Sequence, residues 1–274
     1  MSVVLPIREV EKPWGKDVLP APFTTPARDR GGQRIGEIWF EPPPVLPQLL
    51  VKYIFTSEAL SVQVHPSDAK TLAQGLGRQG KEECWVILDA EPGAVLGIGF
   101  RDEVPADALR AAALDGSIEQ LMQWHEVVPG DFFYIPAGTV HAIGAGISLI
   151  EVQQNSDITY RLYDYGRPRE LHLDEGMAVA HGAPYPRRFH DRVPAQGSHR
   201  LVDGPLFRLD QVDGPFSEQV AADYGEAPLL VIPRTGTVHI GGETIAPGQC
   251  GIAPNLYAVN FDGRGTTLIA QPLG

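Results

Sequence analysis

From residue 49 onward apolar side chains recur in short runs with the alternation and the β-branched or aromatic content of strands: "LLVKYIF", "LSVQVH", "ECWVIL", "AVLGIGF", "DFFYIP", "SLIEVQQ" and "ITYRLYDY". Gly, Pro and Asp punctuate the runs, as sandwiches and barrels require. Two stretches break the pattern, 67–79 and 104–124, where Leu and Ala fall at helical spacing; 173–182 ("LDEGMAVAHG") is a third helical candidate. All three are predicted to be helical insertions on a β scaffold. Residues 183–199 are rich in Pro and charge and have no periodicity, so a linker is predicted there, dividing a larger unit, 1–182, from a smaller one, 200–274. In the smaller unit "PLFRLDQV", "PLLVIP", "GTVHIGGETIAPG" and "TTLIAQPL" resume the strand pattern, and Gly241-Gly242 fits a hairpin turn.

The two units share a spacing. "PGDFFYIP" (129–136) and "PGQCGIAP" (247–254) both read Pro-Gly, five residues, Pro, each ahead of another apolar segment. This is the signature of a duplicated β-unit; coincidence is the alternative, because Pro-Gly is a common turn signal. In the first copy the motif leads to His141, and the matching position of the second is Val259.

Composition narrows what such a scaffold can do. A net charge of −12 opposes wrapping around nucleic acid or docking on an anionic membrane, while leaving a small anionic ligand open, since a pocket needs only a few placed cations. Cys84 and Cys250 lie far apart and Cys84 sits in an apolar run, so no disulfide framework is expected and a reducing cytoplasm is the expected compartment. The opening "MSVVLPIREVEKPWG" has no long apolar core behind basic residues, and no window reaches the length of a membrane span.

Candidate chemistry begins in "SVQVHP" (61–66). In a strand Gln63 and His65 project to one face about 7 Å apart, while Val62 and Val64 pack behind them. Alone, such a pair reads first as hydrogen-bonded core, the commoner fate of a buried Gln or His. Residues 130–141, "GDFFYIPAGTVH", then match Gly, five residues, Pro, one residue, Gly, two residues, His, the second motif of the cupin β-barrels. Here Gly130 turns the chain into a strand, Pro136 and Gly138 shape a hairpin, and His141 emerges on the barrel interior. The first cupin motif is altered: Gln63-x-His65 stands for His-x-His, and the acid is delayed to "GKEECW" (80–85).

That variant, with "IPAGTVHAIG" (135–144), "QNSDITYRLYDYGR" (154–167), "EKPWG" (11–15) and "IGEIW" (35–39), resembles the type I mannose-6-phosphate isomerases in their short bacterial form. The resemblance runs from about residue 11 to residue 173. It implies a mainly β fold, a cupin-type jelly-roll barrel with short helical insertions followed by a smaller, degenerate cupin-like β domain. It makes Gln63, His65, Glu83 and His141 the ligands of one Zn²⁺ per chain, a set without thiolate that leaves a position open to sugar oxygens. Glu82 competes with Glu83 for the acidic role; the family's Lys-x-Glu spacing, with Lys81 in front, favours Glu83. The implied reaction interconverts mannose 6-phosphate and fructose 6-phosphate through an enediol, with Arg161, Lys81 and Glu151 as catalytic residues, Glu151 or a metal-bound water carrying the proton and Arg161 and Lys81 serving the enediol or the phosphate, and with Lys52, Ser61 and Trp14 at the substrate.

The chain departs from the family after Gln-x-His-Pro, where paired acids are usual and "SDAKTL" leaves only Asp68, so the first helical insertion is expected to cover the pocket differently. Two other readings stay open at this level. One is a non-catalytic cupin that senses a sugar phosphate; the other is a metal-dependent cupin enzyme of another reaction type, such as an oxygenase, against which Gln63 in place of His argues. His125, His172, His181, His190, His199 and His239 have no partner at ligand spacing and read as surface or structural. Oligomeric state has no signal in the sequence.

Overall fold

The computed structural model describes residues 3–23, 33–261 and 263–273; positions 1, 2 and 274, the outermost of the two predicted units, lie outside the described residues. Antiparallel strands dominate. One sheet has seven of them in the order Ile7–Lys16, Ile35–Phe40, Leu49–Phe55, Ile147–Gln154, Glu83–Ala90, Asp131–Ile135, His190–Arg192. Facing it is a five-stranded sheet, Tyr160–Tyr163, Val62–Val64, His141–Ile143, Val95–Phe100, Met122–Glu126. These two make the mainly β, cupin-type unit. The remaining strands form a five-stranded sheet, His199–Asp203, Phe207–Asp213, Thr266–Pro272, Leu229–Pro233, Gly251–Ala253, and a three-stranded one, Glu243–Ile245, Val238–Ile240, Val259–Phe261.

Alternation decides which face each side chain serves. Along Leu49–Phe55, Val51, Tyr53 and Phe55 join an apolar cluster with Phe207, Leu230 and Leu268, so the large sheet packs its back on the C-terminal sheet. Its front carries a row of directly paired residues, one per strand: Arg8, Trp39, Lys52, Glu151, Trp85, Phe133, His190. Facing cross-strand partners share a side of the sheet, so this row lies on the barrel side, buried from Lys52 to Phe133 and exposed at its ends, Arg8 and His190. Apolar Trp85, Ile87, Leu96, Ile98, Phe133 and Ile135 fill the interior around it.

The helical insertions are shorter than their patterns. Residues 67–79 give a helix only over Asp68–Ala73. Residues 104–124 give Ala106–Asp115, stopped by Gly116 at φ +84, then Ile118–Leu121; from Met122 the chain is already an edge strand on Val95–Phe100. The third candidate is helical over Leu173–Met177. Within 183–199, His190–Arg192 pairs with Asp131–Ile135, an edge strand too short and polar to show a period. Gly241 and Gly242 adopt φ +56 and +87 between paired strands, the left-handed pair that a tight hairpin of this hand needs.

Candidate metal centre

The centre forms where the two facing sheets meet. Gln63 pairs directly with His141 on one side and Arg161 on the other. His65 follows Gln63 by two residues on the same face, and Glu83 reaches across from the large sheet. The ligating atoms of His65, Glu83 and His141 all lie within 4.8 Å of one another, and all three side chains are buried. Glu83 offers one oxygen to each imidazole, 3.5 Å from His65 Nε2 and 3.4 Å from His141 Nε2. Glu82, on the opposite face, accepts a hydrogen bond from the Tyr134 hydroxyl, and Cys84 packs in the apolar cluster behind the sheet.

The donor set fits a divalent cation. His65 Nδ1 and His141 Nδ1 each sit 2.9 Å from a backbone carbonyl, of Ile158 and Thr139, which assigns the proton to Nδ1 and turns both Nε2 lone pairs inward. Burial, with Lys81 nearby, holds both rings neutral: His65 falls well below the usual histidine range and His141 to about 4. Burial and the neighbouring Glu151 push Glu83 up to about 7, against the pull of Lys81. Glu83 Oε1 is buried without a hydrogen-bond donor. A positive group already stands in among these ligands, since the Lys81 ammonium lies 2.9 Å from His65 Nε2 and 2.5 Å from Glu83 Oε2. Gln63 turns Nε2 toward His141 at 3.2 Å and Oε1 toward Ser61 Oγ at 3.3 Å, so ligation through oxygen requires the amide to turn over.

A cavity of about 290 Å³ opens beside the centre. Trp14, Lys52, Ser61, Gln63, Lys81, Glu151 and Arg161, seven of the positions singled out in the sequence, line it, while His65, Glu83 and His141 lie deeper. Lys52 and Glu151 pair at 2.9 Å, and Trp85 Nε1 donates to the other Glu151 oxygen at 3.1 Å. Burial raises the Glu151 carboxyl, but Lys52 and Lys81 outweigh it and draw the group down to about 2. The Arg161 backbone N–H donates to His172 Nδ1 and its guanidinium to Glu170 O.

Sequence reasoning passed over Lys12, Glu37, Asp157, Thr159 and Arg169, which line the same cavity together with Trp39, a residue read from the sequence as core or pocket wall. Glu37 carried the signal used for Gln63, a polar residue in an otherwise buried strand; it accepts from Lys12 at 3.1 Å and from Trp39 Nε1 at 2.5 Å. Trp39 lies between the Arg8 and Lys52 cations, 4.3 and 4.5 Å from its ring. Trp14, 3% exposed, is wall. Asp68, all that stands where paired acids are usual in the resembled family, accepts from the Gly80 N–H at 2.6 Å and Gln154 Nε2 at 2.9 Å, tying down the turn that delivers Lys81 and Glu83.

No family model matches the chain. It is 43% identical over 212 residues to mannose-6-phosphate isomerase ManA of Bacillus subtilis (strain 168), a match covering 74% of this chain and 67% of that protein. It is 35% identical over 228 residues to mannose-6-phosphate isomerase of Streptococcus mutans, covering 78% and 71%. Among solved structures, the mannose 6-phosphate isomerase from Bacillus subtilis superposes over 98% of this chain and 99% of its own with a TM-score of 0.73 at 24% identity. A zinc-bound mannose 6-phosphate isomerase gives 0.73 at 14% identity, covering 99% of both chains. At these identities the structural likeness establishes the fold.

Proposed function

We propose that this chain, which belongs to the mannose-6-phosphate isomerase family, interconverts mannose 6-phosphate and fructose 6-phosphate at the centre built by Gln63, His65, Glu83 and His141. The observation that carries the reading is the convergence of two inward Nε2 atoms and a buried carboxylate beside a cavity rimmed by arginine and lysine. The cofactor is Zn²⁺, one per chain; bound, it supplies Lewis acidity toward sugar oxygens. The two His, one Glu and one Gln are a donor set suited to it.

The remaining work falls to the chain's own groups. Isomerisation moves a proton between C2 and C1, and Glu151 is the carrier, held at the cavity wall by Lys52 and Trp85. A carboxyl at about 2 is a weak base. Substrate that draws the Lys52 ammonium to its own oxygens strips Glu151 of its partner, and burial then raises its proton affinity. Lys81 and Arg161 place positive charge where the enediol oxygen gathers negative charge. Arg169 lines the cavity beside Arg161 with its own guanidinium held by Asp164, and Ser61 orients Gln63. These cations around a carboxylate favour an isomerase over a sensor, which needs no proton carrier.

The net charge of −12 supports a small-molecule substrate over nucleic acid or an anionic membrane, and no helix among the described residues is long and apolar enough to cross a membrane. Two buried, unbonded cysteines support a reducing, cytoplasmic setting. The test is a coupled assay of mannose 6-phosphate conversion on wild type and His141→Ala, with and without chelator. Both perturbations should abolish turnover; chelator-insensitive turnover would remove the metal from the mechanism.

A further inference from the structure

The inward row of the large sheet continues past the metal centre. Beyond Glu151 it runs through Trp85 and Phe133 to His190 on the last strand. There, at the other edge of the barrel, lies a second cavity of about 540 Å³ lined by Arg101, Gln123, His125, Tyr185, Arg187 and His190. His190 stacks flat on Phe133 with ring centroids 4.3 Å apart, and His125 stands 6.3 Å from His190. Trp85 and Phe133, each 0% exposed, separate this cavity from the sugar site.

Acids outnumber Lys and Arg by 34 to 22 in this chain, yet among the described residues neither Arg101 nor Arg187 has an ion-pair partner. The loop carrying Arg187 is anchored, because the Tyr185 hydroxyl lies 2.8 Å from the carbonyls of both Tyr134 and Phe189. His125 lines the cavity with its ring, while its Nε2 is buried and meets no hydrogen-bond partner. Two free guanidinium forks beside two imidazoles suit a phosphoryl group, which takes several charge-assisted hydrogen bonds at once.

We infer that this second cavity binds a phosphoryl dianion, carried by a small metabolite or free in solution, through Arg101 and Arg187 with His125 and His190 beside them. It is separate from the sugar phosphate of the isomerase reaction. The test follows the histidine ring resonances of the metal-loaded, full-length protein by NMR as inorganic phosphate, and in a second titration glucose 6-phosphate, is added. The His125 and His190 rings should shift saturably. Tighter binding of the sugar phosphate marks a metabolite as the source, and equal midpoints mark free phosphate. In the Arg101→Ala/Arg187→Ala variant, whose two changes are at exposed positions, the midpoint should rise roughly tenfold or more, with mannose 6-phosphate turnover unchanged. Rings that stay still in the wild type, or that shift with the same midpoint in the variant, would overturn the assignment.

Discussion

Lowering the pH should weaken metal binding by the loss of a single proton's worth of affinity, and the group responsible is Glu83. Each ligand must shed its proton before it can hold a cation. The two imidazoles have already done so at neutral pH, because burial and Lys81 keep His141 at about 4 and His65 well below its usual range. Glu83 has not, because burial and Glu151 push it up to about 7. The metal-free centre therefore binds a proton on Glu83 below about pH 7, and the cation must displace it. From about pH 7 down to about pH 5 the apparent affinity should fall tenfold per pH unit, about 1.4 kcal/mol each, and above about pH 8 it should be flat. Competition against a chromophoric chelator at a series of pH values gives the slope directly. Ordinary histidines near 6.5 would add their own protons and steepen it toward three. A slope of two or more, or none, would refute the assignment of neutral imidazoles and a protonated Glu83.

The same carboxyl makes a prediction for stability without metal. A carboxyl raised from 4.5 to about 7 favours the folded state only while protonated, so relative to Glu83→Gln the metal-free wild type should lose stability as pH climbs through that window. The loss is roughly 3 kcal/mol, read by urea denaturation. Lys52→Met leaves the Glu151 carboxylate buried without its partner; it should cost roughly 3 kcal/mol and nearly all turnover, and Lys52→Met/Glu151→Gln should recover most of the stability but none of the activity. Gly80→Ala would set a Cβ 2.5 Å from the Pro66 carbonyl oxygen, so Lys81 and Glu83 must shift; about 1–3 kcal/mol should be lost in thermal unfolding, with weaker metal binding in the chelator assay.

Local pattern carried much of this into the sequence. Alternation alone placed Gln63 and His65 on one face, and Leu49–Phe55 is a strand over the full run read from its apolar residues. What stayed hidden depends on register, which one strand does not encode. Trp39 and Glu37 reach the cavity because Trp39 pairs directly with Lys52 and Glu37 lies two residues before it on the same face. The first strand, Ile7–Lys16, shows little apolar period because it is a polar edge with register shifts on either side of Glu11. The helix Glu218–Tyr224 also went unread: it is short, and its main signal was Ser217, whose side chain caps the Val220 N–H at 3.3 Å.

The C-terminal sheets explain how a barrel can afford so many buried polar groups. Strands of the large sheet alternate between the two jobs: Lys52, Glu83, Trp85 and Glu151 face the centre, while Val51, Tyr53, Cys84, Val86, Ile150 and Val152 face the C-terminal half and share its apolar cluster. The polar face is costly to bury even when paired; the apolar back, pressed on Phe207, Leu230, Leu268 and Ala270, offsets that cost and fixes the strands that aim the ligands. The Pro-Gly spacing shared by 129–136 and 247–254 fits this division of labour. Gly130 and Gly248 take φ +92 and +86, and each leads into a strand of the larger sheet of its unit and then into a strand of the smaller one. At the position of His141, however, the second unit has Val259, packed among Val238, Ile240 and Leu256. That side chain joins an apolar cluster with Val212, Val231 and Ile269, whose strands present Leu209, Leu230 and Leu268 to the back of the large sheet, so the strands that support the centre pack on both of their faces.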